Sequence, residues 1–381
     1  MTEPAISLKG KRGLFTKFGE LNWFVVLLIT AIACVGFVML YSVAGGSIEP
    51  WASRQMIRFA VGLVLMIAVA LTSLRFWVSA AYPIYLGALA LLIAVEFIGT
   101  TGMGAQRWID LGFFRLQPSE VMKIALVLAL ARYYHGITMR EAMSLRSLLI
   151  PVILIALPAG LVLSQPDLGT ALLLILGGAA VMFLAGVRLW LFVAGIISAL
   201  AAIPVAWGFL KDYQKSRILT FLNPERDPLG AGYHIMQSKI ALGSGGVYGK
   251  GFLLGTQSQL NFLPEKQTDF IFTMLAEEFG LLGGLGLLTL YGILIGYAIL
   301  VSLTIRSHFG RLMAMGLAFT FFLYVFINTA MVMGLLPVVG VPLPLVSYGG
   351  SAMLTVMIGF GLILSAALHR DAIIPRSGAI T

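Results

Sequence analysis

The run Asn261-Phe-Leu-Pro-Glu-Lys-Gln-Thr-Asp-Phe-Ile-Phe272 marks where a long polar segment meets a long apolar one. From Phe270 the chain stays almost entirely apolar to residue 304, well beyond the roughly 20 residues a helix needs to cross a bilayer. Asp269 therefore stands at a membrane surface, beside a roomy loop. A carboxylate so placed suits chemistry on a substrate that is itself tethered to lipid.

Working outward from that junction, ten apolar runs emerge, at 23–43, 56–72, 76–98, 119–134, 148–163, 168–186, 189–209, 270–304, 310–333 and 349–368. Composition agrees. The 381 residues are 59% hydrophobic and 11% charged, with a mean hydropathy of +0.98, where soluble domains carry about 25% charged residues. The reading is an all-α polytopic integral membrane protein forming a single transmembrane domain over 1–381. Trp23 to Leu40 is too long for a signal-peptide core and follows Lys9, Lys11, Arg12 and Lys17, so it is expected as an uncleaved first span. Cys34 is the only cysteine, which excludes an intrachain disulfide and a multi-cysteine metal site.

The net charge of +9 is expected from the basic bias of cytoplasmic loops, not from nucleic-acid binding. With the N-terminus inside, the inner segments carry Lys9, Lys11, Arg12, Lys17, Arg75, Arg132, Arg140, Arg146, Arg188, Arg306, Arg311, Arg370 and Arg376. The short outer loops and their flanks carry only Arg54, Arg58, Arg107, Arg115 and Lys123. Both termini are expected in the cytoplasm, and the 210–268 loop outside. That loop is long for a structureless connection. Its aromatic and aliphatic residues, among them Tyr213, Phe221, Tyr233, Ile235 and Phe262, can fold it down onto the helices.

Several groups around this frame could carry chemistry. The plain reading of Thr268 and Asp269 is a helix-capping pair; the functional one is a general base for a sugar hydroxyl or a ligand for a divalent cation. No other cofactor is indicated. Glu120 and Lys123 follow Pro118 at a helix start and share a face at i, i+3 spacing. Their plain reading is an interfacial ion pair with Lys123 reaching outward. Ionisable groups inside spans are costly, however, and usually face a cavity or a partner, so Lys123 is a candidate to hold a pyrophosphate. Arg107 and Arg115 are either solvated loop charges or a clamp for phosphates. Glu277 and Glu278 lie two turns beyond Asp269. If the helix projects from the bilayer they are simply wet; otherwise Glu277 helps position a cation.

The stretch Gly243-Ser-Gly-Gly-Val-Tyr-Gly-Lys-Gly251 fails the phosphate-loop test, because Ser244 and Gly251 stand where that loop needs Gly and Ser or Thr. It reads as tight turns, with Lys239 and Lys250 available to anions. The run Leu336 to Ser351 is apolar, yet Pro337, Pro342 and Pro344 forbid a continuous helix. Irregular backbone at membrane depth survives only against protein or a water-filled cavity, so 336–351 is expected as a re-entrant loop, with Ser347, Tyr348 and Ser351 able to bond a sugar. His135, His234, His308 and His369 are scattered without zinc spacing.

Taken together, Arg107-Trp-Ile, Gln117-Pro-Ser-Glu-Val-Met-Lys123, Gln165-Pro-Asp-Leu-Gly-Thr170, Gln237-Ser-Lys-Ile-Ala, Gly243-Ser-Gly-Gly, Phe262-Leu-Pro-Glu, Thr268-Asp-Phe-Ile-Phe272 and the Pro-rich run resemble the SEDS family of bacterial cell-wall proteins. The match covers nearly the whole chain. Gly255 to Glu265 and Pro337 to Val346 are similar to the elongation-type members of the family more than to the division type. Gln267 departs from the His that relatives commonly carry before Thr-Asp. The resemblance implies a peptidoglycan glycosyltransferase of the bacterial inner membrane that polymerises lipid II at the outer face. It also implies a class B penicillin-binding protein as transpeptidase partner within an elongation complex, and functional weight on Asp269, Glu120 and Lys123. A lipid II flippase and a non-catalytic scaffold are the rival expectations.

Overall fold

The computed structural model describes residues 14–102, 105–110, 112, 115–209, 212–223, 230–260, 263 and 265–376. Lys9, Lys11 and Arg12 of the basic N-terminus lie outside the described residues. So do Lys211, Glu225, Arg226 and Asp227 of the long loop, and Asn261, Phe262 and Pro264 of the junction.

Among the described residues, a short α1 (Leu14–Gly19) precedes ten long helices: α2 (Trp23–Val43), α3 (Ala52–Leu71), α4 (Leu74–Ile98), α5 (Pro118–Gly136), α7 (Leu149–Ser164), α8 (Leu168–Leu184), α9 (Leu189–Phe209), α13 (Ile271–Thr304), α14 (His308–Val332) and α15 (Gly350–Leu368). Each coincides with an apolar run of the sequence. Seven of them are individually long and apolar enough to cross a membrane: α2, α3, α4, α7 with its preceding turn, α13, α14 and α15. α8 and the apolar part of α9 are shorter. Between the long helices lie α6 (Met139–Ala142) and, in the 210–268 segment, α10 (Asp212–Leu222), α11 (Ala231–Ser244) and α12 (Thr256–Gln259). One element was not expected from the sequence: β1 (Thr100–Gly102), β2 (Ala105–Asp110) and β3 (Arg115–Leu116) form a small antiparallel sheet ahead of α5.

Local rules set the helix ends. Pro118 opens α5 in the first turn, where its missing N–H costs nothing. The Asn22, Asp167 and Ser307 side chains cap α2, α8 and α14 by accepting from backbone N–H groups. Packing then sorts the helices. α15 lies along α3, α5 along α4, and α14 touches α5, α8, α13 and α15. α5 is buried on nearly every side, and α14 and α15 are mostly buried too. α9 instead turns Leu189, Ile196, Ile197, Leu200 and Ile203 outward. In a chain this apolar, such a face meets lipid, not water.

α13 is not one straight span. Gly280 sits at φ 66°, ψ −162° and breaks it, a conformation that a side chain disfavours. The break leaves 281–304 as the membrane crossing and makes 271–279 a separate short piece. This explains why the apolar run looked too long for one bilayer.

The Pro-rich segment after α14 carries no helix until Gly350. It packs inside the bundle: Val341, Leu343, Leu345 and Val346 are each 2% exposed or less. α2 approaches it so closely that a Cβ on Gly36 would lie 2.7 Å from the Val346 Cα. Only glycine permits that contact.

Candidate active site

Asp269 lies on a strap of turns, 265–270, that leads into α13. The helix begins at Ile271 with Phe270 as its N-cap residue and no side-chain cap. Thr268 bonds backwards instead, its hydroxyl donating to the Glu265 carbonyl at 3.2 Å and carboxylate at 3.0 Å. Thr268 is therefore not the N-cap expected from the sequence; Asp269 stands one residue before that cap, at the positive end of the helix.

The strap is fixed through its backbone from two sides. Asn328 on α14 donates from Nδ2 both to the Asp269 carbonyl, at 2.9 Å, and to the Val341 carbonyl, at 2.7 Å. Ser347 Oγ donates to the Thr268 carbonyl at 2.5 Å, and Tyr348 N–H to the Gln267 carbonyl at 2.8 Å. Gln55 on α3 secures the far side of the Pro-rich segment, donating to the Ser347 carbonyl at 2.8 Å. The Asp269 side chain is half-buried. Its Oδ2 lies 3.5 Å from where a Cβ of Gly340 would be, so the carboxylate abuts the Pro-rich segment at its glycine turn (φ 69°).

Glu120 and Lys123 sit together inside the bundle, each 3% exposed. Lys123 Nζ lies 2.7 Å from Glu120 Oε1. Tyr324 of α14 closes the group, its hydroxyl donating to Glu120 Oε2 at 2.7 Å and touching Lys123 Nζ. The outward-reaching Lys123 is therefore replaced by a closed buried triad. A lone ion pair at this depth is costly to desolvate, and the third partner offsets part of that. Tyr324 and Asn328 are one helical turn apart on α14, so one face of one helix holds both the triad and the strap.

The remaining candidates are spread wider. Arg107, on β2, donates from Nε to the Gln165 carbonyl at 3.0 Å and also to the Pro166 carbonyl; the Asp167 carboxylate is 3.9 Å away. Its guanidinium fork clasps the α7–α8 corner, with the side chain still partly exposed. Arg115 is exposed and pairs with Asp110 at 3.4 Å. Lys239 is exposed on α11, with its side chain across Gly334. The Ser347 hydroxyl is occupied by the Thr268 carbonyl and by the Leu343 N–H at 2.8 Å, so its use is to brace the strap. Ser351 is buried.

Glu277 and Glu278 are 0% and 1% exposed, so the wet-surface reading fails. The Gly-rich stretch folds back against the break in α13. Lys250 and Gly251 N–H groups donate to the Glu277 and Glu278 carbonyls at 3.0 Å each, and Leu281 N–H to the Gly246 carbonyl at 2.9 Å. Lys250 Nζ meets Glu277 Oε1 at 2.6 Å, joined by the Thr256 hydroxyl and the Gln257 N–H. Ser42 donates to Glu278. Lys250 is thus engaged by Glu277 instead of open to anions.

Among the described residues, no group of three or more His, Cys, Asp or Glu side chains converges as a metal cage. Asp269 offers a single carboxylate. That donor set fits only a hard divalent cation completed by water and substrate oxygens.

Sequence reasoning missed Asn328, Tyr324 and Gln55. The one available signal was their polarity inside apolar helices, with the first two spaced one helical turn apart.

Comparison with known proteins accords with this arrangement. A family model for FtsW, RodA and SpoVE, described as cell cycle protein, matches residues 21–372. The chain is 53% identical over 277 residues to the peptidoglycan glycosyltransferase MrdB of Escherichia coli (strain K12), covering 72% of this chain and 74% of that protein. It is 40% identical over 283 residues to the Helicobacter pylori (strain ATCC 700392 / 26695) protein of the same name, covering 71% and 70%. Among solved structures, one from work on structural coordination of polymerization and crosslinking by a peptidoglycan synthase complex superposes with a TM-score of 0.80 at 34% identity, over 92% of this chain and 98% of that one. The rod shape determining protein RodA of Thermus thermophilus superposes with a TM-score of 0.70 at 30% identity, over 93% and 98%. By sequence across nearly its full length and by the arrangement of its helices, the chain belongs to the FtsW/RodA/SpoVE family.

Proposed function

We propose that this chain is a RodA-type peptidoglycan glycosyltransferase, polymerising lipid II at the outer face of the bacterial inner membrane with both termini in the cytoplasm. The observation that carries the reading is Asp269. Its carbonyl is pinned by Asn328, and its carboxylate is half-buried against Gly340. A base must be held in place before its pKa matters, and this strap holds it.

In the proposed reaction Asp269 accepts the proton of the 4-hydroxyl of the acceptor GlcNAc. That oxygen forms a bond to C1 of the donor MurNAc with inversion. The C1–O bond to undecaprenyl pyrophosphate breaks, and the pyrophosphate departs with the electron pair. It needs charge stabilisation more than a proton. A bound divalent cation would neutralise phosphate charge beside Asp269.

Loss of a general base costs about 10²–10⁴-fold in rate. Asp269→Asn and Asp269→Ala, purified and supplied with labelled lipid II, should therefore form no measurable polymer while still folding. Polymer at the wild-type rate would remove Asp269 from the mechanism. Detergent-solubilised enzyme is the right material, because a flippase performs no measurable work there. A class B penicillin-binding protein is the proposed partner, supported by the synthase-complex neighbour.

A further inference from the structure

Lys123, Arg107 and Arg115, the cations the sequence suggested for the departing pyrophosphate, all have carboxylate or carbonyl partners inside the fold. Arg58 differs. It lies less than two turns into α3, a helix apolar enough to cross the membrane. Ionisable groups inside such spans are costly and normally pair with one another or with carbonyls. Yet among the described residues Arg58 makes no ion pair, and its Nη1 is buried without a hydrogen-bond partner. The guanidinium lies over the Tyr348 ring, 4.6 Å from the centroid. It also lies against the first residue of α15, where a Cβ on Gly350 would fall 3.1 Å from Arg58 Nε.

That meeting point is a helix N-terminus. α15 opens on Gly349, which offers no side-chain cap, and Met353 N–H bonds back to the Gly349 carbonyl at 3.2 Å. The N–H groups before it, of Gly350, Ser351 and Ala352, are the ones a helix leaves without internal partners. Ser351 is 3% exposed, and its hydroxyl has no partner either. A guanidinium without a counter-charge, the positive end of a 19-residue helix and a buried unused hydroxyl together make an anion site. The surroundings say what carries the anion. α3 turns Ile57 and Val61 outward beside Arg58, 67% and 50% exposed, so one approach is from lipid. The other side joins the strap, where Tyr348 N–H donates to the Gln267 carbonyl at 2.8 Å, two residues from Asp269.

We propose that Arg58, Ser351 and the N-terminus of α15 bind a phosphate group carried on a lipid. Arg58 supplies the charge and a planar fork for two oxygens; Ser351 and the free N–H groups supply neutral donors. Two lipids share the required chemistry: the polyprenyl pyrophosphate of the substrate and an anionic phospholipid of the bilayer. The first of these rests on the glycosyltransferase reading, under which the site receives the charge that leaves C1.

The test is binding of farnesyl pyrophosphate to the purified full chain in detergent, read from the rise of the unfolding midpoint with ligand concentration. Farnesol is the phosphate-free control and should give no rise. Arg58→Gln should weaken the affinity about tenfold, the loss of one charge-assisted hydrogen bond, and Ser351→Ala about threefold, the loss of a neutral one. Arg58→Lys should restore part of the affinity, since it returns the charge without the fork. Without ligand, Arg58→Gln should keep the wild-type midpoint or exceed it, because it removes a charge that has no counter-ion. Ser351→Ala breaks no bond of its own and keeps the test decisive if Arg58→Gln folds poorly. Unchanged affinity for farnesyl pyrophosphate, with phosphatidylglycerol no longer co-purifying with the variants, assigns the site to bilayer phospholipid. Unchanged affinity and unchanged phosphatidylglycerol in Arg58→Gln and Ser351→Ala overturn the proposal, whatever the midpoint does. Polymerisation of labelled lipid II is followed in parallel. If the wild-type chain forms no polymer while Arg58→Gln shows the binding effect, the glycosyltransferase reading fails and the phosphate site stands.

Discussion

At the scale of single residues, the buried polar side chains divide into those that could act and those that position. Asn328 never needs to touch substrate; it holds the Asp269 carbonyl and the Pro-rich segment through one amide nitrogen. Small displacements of a reacting group can cost about 10²-fold in rate. Asn328→Ala should therefore lower kcat by one to two orders of magnitude with little change in KM, read from initial rates of polymer formation. A KM-only effect would mean the strap does not depend on it. The triad gives a second test. Removing one partner of a buried ion pair costs about 3–5 kcal/mol, whereas replacing both is often neutral. Lys123→Met should lose much of its thermal stability in detergent, and Glu120→Gln/Lys123→Met should regain most of it along with polymerisation. A stable but inactive double variant would return Lys123 to direct work on the substrate. Sequence alone showed Glu120 and Lys123 as one face of α5 because their spacing is local. It could not show Tyr324, which reaches them from a helix far along the chain.

At the scale of elements, the ten long helices were legible as apolar runs because each needs little more than continuous hydrophobicity. The finer features came from pairings that composition does not encode. The small sheet of β1, β2 and β3 is built from short strands with weak patterning. Glu277 and Glu278 read as wet because nothing in their own helix covers them; the cover is the Gly-rich stretch, which returns from upstream to meet the break at Gly280. Gly280→Ala tests that break. A side chain in this essentially glycine-only backbone region costs about 1–3 kcal/mol, and here its Cβ would also fall 2.5 Å from the Val247 carbonyl oxygen. The variant should show a clearly lowered unfolding midpoint in detergent. An unchanged midpoint would mean that α13 can run straight through.

At the scale of the whole molecule, the prediction concerns sidedness. In a Cys34→Ser background, a cysteine at Arg115 should react on intact cells with a membrane-impermeant maleimide, and one at Arg140 should not. The reverse pattern would invert the proposed orientation and move Asp269 to the cytosol. The same view ties Lys17, which contacts His369, to one end of α2, and Ser42, which bonds Glu278, to the other. Lys17 and His369 thus lie at the opposite end of α2 from Ser42 and Glu278. α14 carries Tyr324 and Asn328 on one stripe. A small roll of that single rod would unlatch the ion-pair lock and the carboxylate's anchor in the same stroke.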